Sequence, residues 1–175
     1  MKKYQTFVQR LAASILDAIV FLPINFFLPL VFNINTEGSV SWSLFSNGLF
    51  LFYSIYAHAS YGYTLGKKWM NIKVVRNDNE AELIGFSNAF KRDSIAILFL
   101  LLEIMLIAKH MDDTATGSII VLLTSFGWLI AELITMLLNP KRRSVHDFLA
   151  GSVVIDIAQP EKWQGNFHAE KSPEQ

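Results

Sequence analysis

At 175 residues the chain is one domain by length, and with no cysteine it carries neither a disulfide nor a thiolate metal site. Its 52% apolar content, including 14 Phe, is concentrated in four runs, and a formal net charge of zero conceals a sharp segregation. Fourteen of the 15 Lys and Arg residues precede the first run, lie between the second and third, or follow the fourth; only Lys109 falls elsewhere.

The apolar runs are 11–32, 42–62, 94–108 and 118–138. About 20 apolar residues span a hydrocarbon core of ~30 Å. Excess Lys and Arg mark cytoplasmic segments. The expected topology therefore has four crossings, with both termini and the long central loop inside and residues 33–41 and 109–117 outside. The first run is read as a retained helix rather than a signal peptide, because it is too long, contains Asp17 and lacks a small-residue cleavage site. Pro23 leaves the Ile19 carbonyl without its intrahelical donor and favours a kink near Asp17.

Past the second run, Gly62 and Gly66 form a G-x-x-x-G pair suited to a turn or close packing. Met70, Ile72 and Val74 alternate with neighbours in a strand pattern. The Asn77-Asp78-Asn79 turn then predicts a returning strand over 81–84, and Ser87 is the expected cap of a helix entering the third run. That run would cover only ~22 Å as a helix, so it must borrow flanking residues or tilt. Residues 152–157 repeat the strand character, completing a small cytoplasmic β element. Residues 1–158 form the membrane domain, and the polar stretch 159–175, with Pro160 and Pro173, is expected to be disordered.

Each run holds one ionisable residue: Asp17, His58, Glu103 and Glu132. A charge in hydrocarbon costs roughly 2.5 kcal/mol or more, so each needs a partner, a proton or a purpose. By the 1.5 Å rise of a helix, all four lie near mid-membrane or in its cytoplasmic half. Ser125, Trp128, Glu132, Thr135 and Asn139 share one helix face, as do Asn47, Leu51, Ser54, His58 and Tyr61. Arg10, Ser14 and Asp17 form a shorter stripe, while the third run shows Glu103 alone. Turned inward, these stripes line a polar pocket open to the cytoplasm. The alternative is that Asn47, Ser54, Thr124 and Ser125 cement helix packing through hydrogen bonds of ~0.6 kcal/mol each. Tyr61, Tyr63 and Trp69 read as interface anchors. The two halves share a plan of arginine (Arg10, Arg92), helical hairpin, basic cluster and strand, so a duplication would be parallel.

Three segments carry a resemblance: Arg10-Leu11-Ala12-Ala13-Ser14-Ile15-Leu16-Asp17-Ala18; Thr64-Leu65-Gly66-Lys67-Lys68 leading into Lys73-Val74-Val75; and Arg143-Ser144-Val145-His146-Asp147-Phe148-Leu149-Ala150-Gly151-Ser152-Val153-Val154. In this order they resemble the RDD family of small bacterial membrane proteins, named for one arginine and two aspartates. The resemblance makes Arg10, Asp17 and Asp147 the name-giving residues, and Gly151-Ser152 stands where the family often has glycine-threonine. It implies a transport role, with cation–proton exchange proposed for some members. Nothing transfers to Glu103 or Glu132, which lie outside the motif.

The combined expectation is an all-α polytopic protein of the bacterial inner membrane that moves a small solute or cation, with protons as the candidate counter-ion. Asp17 would be the main binding carboxylate, supported by Glu132, Glu103 and His58, with Arg10 and Asp147 as a charge latch at the inner surface. Four helices make a thin wall, so a homo-oligomer, a dimer first, is expected. No cofactor, metal or nucleic-acid partner is expected. Enzymatic activity is not expected either, since no nucleophile–base pair, phosphate loop or H-x-x-x-H spacing appears. The alternative is a non-transporting scaffold or accessory subunit whose charges lock helices together.

Overall fold

The structure, a computed structural model, describes residues 2–33, 36–108 and 114–158; the stretch from 159 onward, expected as a polar tail, lies outside the described residues. The chain is mostly helical. After a 3₁₀ turn at Lys2–Tyr4 come α1 (Phe7–Val31), α2 (Thr36–Ser60), a short α3 (Leu65–Trp69), β1 (Ile72–Arg76), α4 (Gly85–Arg92), α5 (Ser94–Ala108), α6 (Thr114–Leu138), a short α7 (Val145–Leu149) and β2 (Ser152–Asp156). Among the described residues α1 is the one helix both long and apolar enough to cross a membrane, and shorter apolar stretches fill Ser94–Met105 and Leu122–Leu138. The helix is unbroken through Pro23 and Pro29.

The large side chains of the long helices face outward. Leu30 and Val31 of α1 are 66% and 75% exposed, and Leu122 and Leu138 of α6 are 67% and 81% exposed. Apolar surface of this extent is uncovered by the chain itself and needs an apolar surrounding. Helices α2 and α6 begin at Thr36 and Thr114, earlier than their apolar runs. Residues 36–41 and 114–117, expected in outer loops, are thereby helical.

The buried core gathers the N-terminal half of α1, the C-terminal end of α2, α4 and the two strands. Strands β1 and β2 pair antiparallel with Val74 opposite Val154 at the centre. One face of this ribbon packs Ile72, Val74 and Val154 against Ala13, Ala59, Ile84 and Ala89; the other packs Val75, Val153 and Ile155 beneath Tyr4. A two-stranded ribbon is marginal alone. Each fully buried Val or Ile adds about 1.5–3 kcal/mol, and here helices supply the cover.

Two local expectations are corrected. Residues 81–84 form no strand: on the free edge of β1, the Val74 N–H already donates to the Gly62 carbonyl at 2.7 Å, so only Arg76 reaches Glu82, at 3.1 Å. Ser87 is not a cap, because α4 starts two residues earlier, at Gly85, directly after buried Ile84. At the N-terminus, Tyr4 donates to Glu80 at 2.6 Å and Lys3 also pairs with Glu80, fastening the 3₁₀ turn to the loop after β1. Burial, with the Glu80 hydrogen bond and charge, pushes the Tyr4 hydroxyl up to about 12.

Candidate functional site

Asp147 is the hub of the polar pole. It sits in α7, whose cap position is held by Ser144, and its side chain is fully buried. Arg10 Nη1 donates to Oδ2 at 2.6 Å, and Arg92 Nη2 lies 3.2 Å from Oδ1. The Ser144 hydroxyl (3.1 Å) and backbone N–H (3.3 Å) and the Ser152 hydroxyl (3.2 Å) donate to it as well. Burial alone would push this carboxyl up. The charges of Arg10 and Arg92, with the Arg10 hydrogen bond, outweigh it and hold Asp147 well below the usual carboxylate range.

The two short helices are each met at the same place by a carboxylate from a long helix. Gly66, second residue of α3, donates its backbone N–H to Asp17 of α1 at 2.8 Å, and the Thr64 hydroxyl donates to the same carboxylate at 2.5 Å. His146, second residue of α7, donates its N–H to Glu132 of α6 at 3.3 Å. Its ring Nδ1 lies 2.8 Å from the same oxygen. Carboxylates at helix N-termini satisfy unbonded amides and meet the positive end of the dipole. The parallel continues beyond: Asn71 and Gly151, one residue before each strand, both take positive φ (+54° and +59°). The two short helices thus share a local arrangement, although Asp17 comes from the first helix of its hairpin and Glu132 from the second.

Gly66 has a second reason to be glycine. A Cβ there would fall within contact distance of the Ala13 carbonyl and 3.0 Å from Asp17 Cγ, so α3 can lie on α1 only without a side chain at this point.

His58 is buried near the end of α2. Its Nδ1 lies 3.3 Å from Ser54 Oγ and its Nε2 lies 2.5 Å from Lys67 Nζ of α3. A contact this close requires one proton to lie between the two nitrogens. Burial first and the nearby Arg92 charge second push the Lys67 amine well below its ordinary range, against the pull of Asp93, Asp147 and Asp17. At His146, Arg92 Nη2 lies 3.0 Å from the ring Nε2, leaving Nδ1 to donate to Glu132.

Two adjoining cavities lie beside these groups. One, of about 190 Å³, is lined by His58, Lys67, Arg92, Asp93, Trp128 and His146 among others. The second, of about 300 Å³, has Asn47, Ser54, Asp93, Glu103 and Ser125 in its wall. Ser54, Asp93 and Ala96 line both, so the spaces adjoin. Asn47 Nδ2 donates to Glu103 Oε2 at 3.2 Å across the larger one.

The residues singled out from sequence are therefore distributed over three environments. Glu103 and His58 line the cavities; Glu132 stands behind His146; Asp17 has both oxygens engaged by α3 and is not among the residues lining either cavity. Arg10 and Asp147 are in direct contact. Lys67, Arg92, Asp93 and His146 belong to the site without having been singled out for it. A signal for Asp93 exists: with Ala96, Leu100 and Glu103 it forms a 3-4-3 stripe once the third run is extended back by one residue. Among the described residues no cluster of His, Asp and Glu is arranged to hold a metal ion.

No curated protein and no solved structure matches the chain. The sequence pattern of the RDD family matches residues 4–151, which takes in Arg10, Asp17 and Asp147 and nearly every element described above. The chain belongs to the RDD family of membrane-associated domains.

Proposed function

We propose that this protein crosses the bacterial cytoplasmic membrane four times, with both termini inside, and moves a small solute or cation through the adjoining cavities. The observation that carries this reading is a mainly apolar chamber with polar side chains set into its wall. Helices α2, α5 and α6 turn Asn47, Ser54, Glu103 and Ser125 toward a void of about 300 Å³ while their other faces expose large apolar side chains. Charges that only lock helices together need no space between them. In this reading Glu103 is the carboxylate that meets the moving species. The proton held between Lys67 and His58 is the candidate counter-ion. Asp17 and Glu132 position α3 and α7, and so place Lys67 and His146 at the chamber wall. The assembly is a homo-oligomer, a dimer first, because four helices alone leave a thin wall. No enzymatic role is proposed.

The scaffold alternative draws on Asp17 and Asp147, whose oxygens are committed to protein donors. Flux measurements in liposomes decide between the two. Pulses of Na⁺, K⁺ or Li⁺, or of small solutes, should give a dye or tracer response with wild type. Glu103→Gln should lower it by about tenfold or more, the loss expected of an interaction worth about 1.4 kcal/mol or more in the rate-limiting state, while the variant still purifies as a folded protein. Silence of the wild type across ions and solutes would favour the scaffold.

Topology has its own test. Cysteines introduced at Thr36 and Thr114 should be labelled by an impermeant thiol reagent from outside the cell, and those at Asn79 and Gln164 only after lysis. Outside labelling at Asn79 would refute four crossings.

A further inference from the structure

The smaller cavity contains an unusual pair. Arg92 and Asp93 are consecutive, opposite in charge, and both line it. Each has a buried atom with no hydrogen-bond partner, Arg92 Nη1 and Asp93 Oδ2, although Arg92 as a whole is only 4% exposed. Leaving a buried charged group's hydrogen bond unmade is more costly than leaving a neutral one unmade. The other guanidinium contacts are accounted for by Asp147 and His146. Asp93 has no comparable ion partner among the described residues. What remains is one donor on a permanent cation and one acceptor on a carboxylate, neighbours along the chain, at a cavity whose other polar walls are Lys67, His58 and His146.

Resting on the transport reading above, we propose that this cavity binds a small zwitterion of the amino-acid type, its carboxylate on Arg92 and Lys67 and its ammonium on Asp93. The size agrees. At about 190 Å³ the space is below the roughly 300–1,000 Å³ of pockets for drug-sized ligands, and suits a solute of a few heavy atoms. Charge agrees as well. A simple anion would face the Asp93 carboxylate and a simple cation the Arg92 guanidinium, whereas a zwitterion answers both. Trp128, Ile95 and Ala96 supply the apolar part of the wall. The adjoining chamber, reached past Ser54 and Ala96, gives a side chain somewhere to go.

The test is equilibrium binding on the purified full chain in detergent, independent of flux. Glycine, L-alanine and L-serine are titrated by calorimetry alongside glycinamide, which lacks the carboxylate, and propionate, which lacks the ammonium. At least one amino acid should bind, and both truncated probes should bind at least tenfold more weakly. Asp93→Asn, whose side chain has the same shape and whose Oδ2 makes no bond to lose, should fold normally and weaken amino-acid binding about tenfold or more. Propionate binding as tightly as L-alanine would replace the zwitterion with a plain anion and overturn the proposal. So would an Asp93→Asn protein that binds like wild type, or no heat with any amino acid. If binding is absent while liposome flux of a cation persists, the zwitterion assignment falls and the transport reading stands.

Discussion

Replacing Asp147 with Asn should collapse the folded yield in detergent and lower Tm by on the order of 10 °C in whatever material survives. The carboxylate is fully buried between Arg10 at 2.6 Å and Arg92 at 3.2 Å. Removing one partner from a buried charge cluster typically costs about 3–5 kcal/mol, because the others are left desolvated and unpaired; for a chain of this size each kcal/mol is about 2–4 °C. Arg10→Gln should be milder, since Asp147 keeps Arg92, Ser144 and Ser152. The charge swap Arg10→Asp with Asp147→Arg should not restore stability, because the new guanidinium at position 147 would stand against Arg92. Recovery by the swap would mean that Arg92 is not a true partner. The pH profile carries the same information. Because the folded pKa of Asp147 is depressed, its contribution is complete above the unfolded carboxylate value of about 3.9 and is lost only as pH falls through the lower folded value. The Tm gap between wild type and Asp147→Asn should therefore hold constant from neutral pH to about pH 4 and narrow only below it.

The second large effect is expected at Gly66. In Gly66→Ala the new Cβ would overlap the Ala13 carbonyl and press on Asp17, a carboxylate already fixed by two hydrogen bonds. Neither neighbour is a flexible side-chain end, so α3 must lift from α1. Overpacking of this kind costs about 1–3 kcal/mol. Stranding Asp17 adds about 1–3 kcal/mol for each bond lost. Gly127→Ala in α6 is the control: a Cβ there meets nothing within 4 Å, so the change should be neutral or stabilise by up to about 1 kcal/mol. Thermal melts of both variants, with amino-acid binding as a second readout because Lys67 rides on α3, check the pair. Equal tolerance of the two alanines would disprove the close approach of α3 to α1.

The long elements were legible because they repeat a signal many times over. Run 94–108 coincides with α5, and the alternation read over 70–75 overlaps β1 at Ile72–Arg76. Opposite charge and a shared level brought Arg10 and Asp147 together on paper, and they do touch. The surroundings of Asp17 were not legible. Its donors come from Thr64 and Gly66, 47 and 49 residues away, on a helix of five residues that is too short to show any periodicity. An isolated acid in an apolar run looks the same whether it faces a void or caps a neighbouring helix. The missing strand over 81–84 has a similar cause, since Gly62, read as part of a turn or close-packing pair, occupies the edge that strand would have used.

The ribbon at the polar pole also sets an order of assembly. Strand β2 is the last element among the described residues, and Asp147 lies 137 residues after Arg10. Synthesis runs from the N-terminus at about 5–20 residues per second. The first hairpin therefore waits several seconds with Arg10 unpaired and one edge of β1 open, the kind of edge that invites pairing with another chain. A newborn first half is in this sense a sticky intermediate, and the copy of β2 that reaches it first need not come from the same polypeptide.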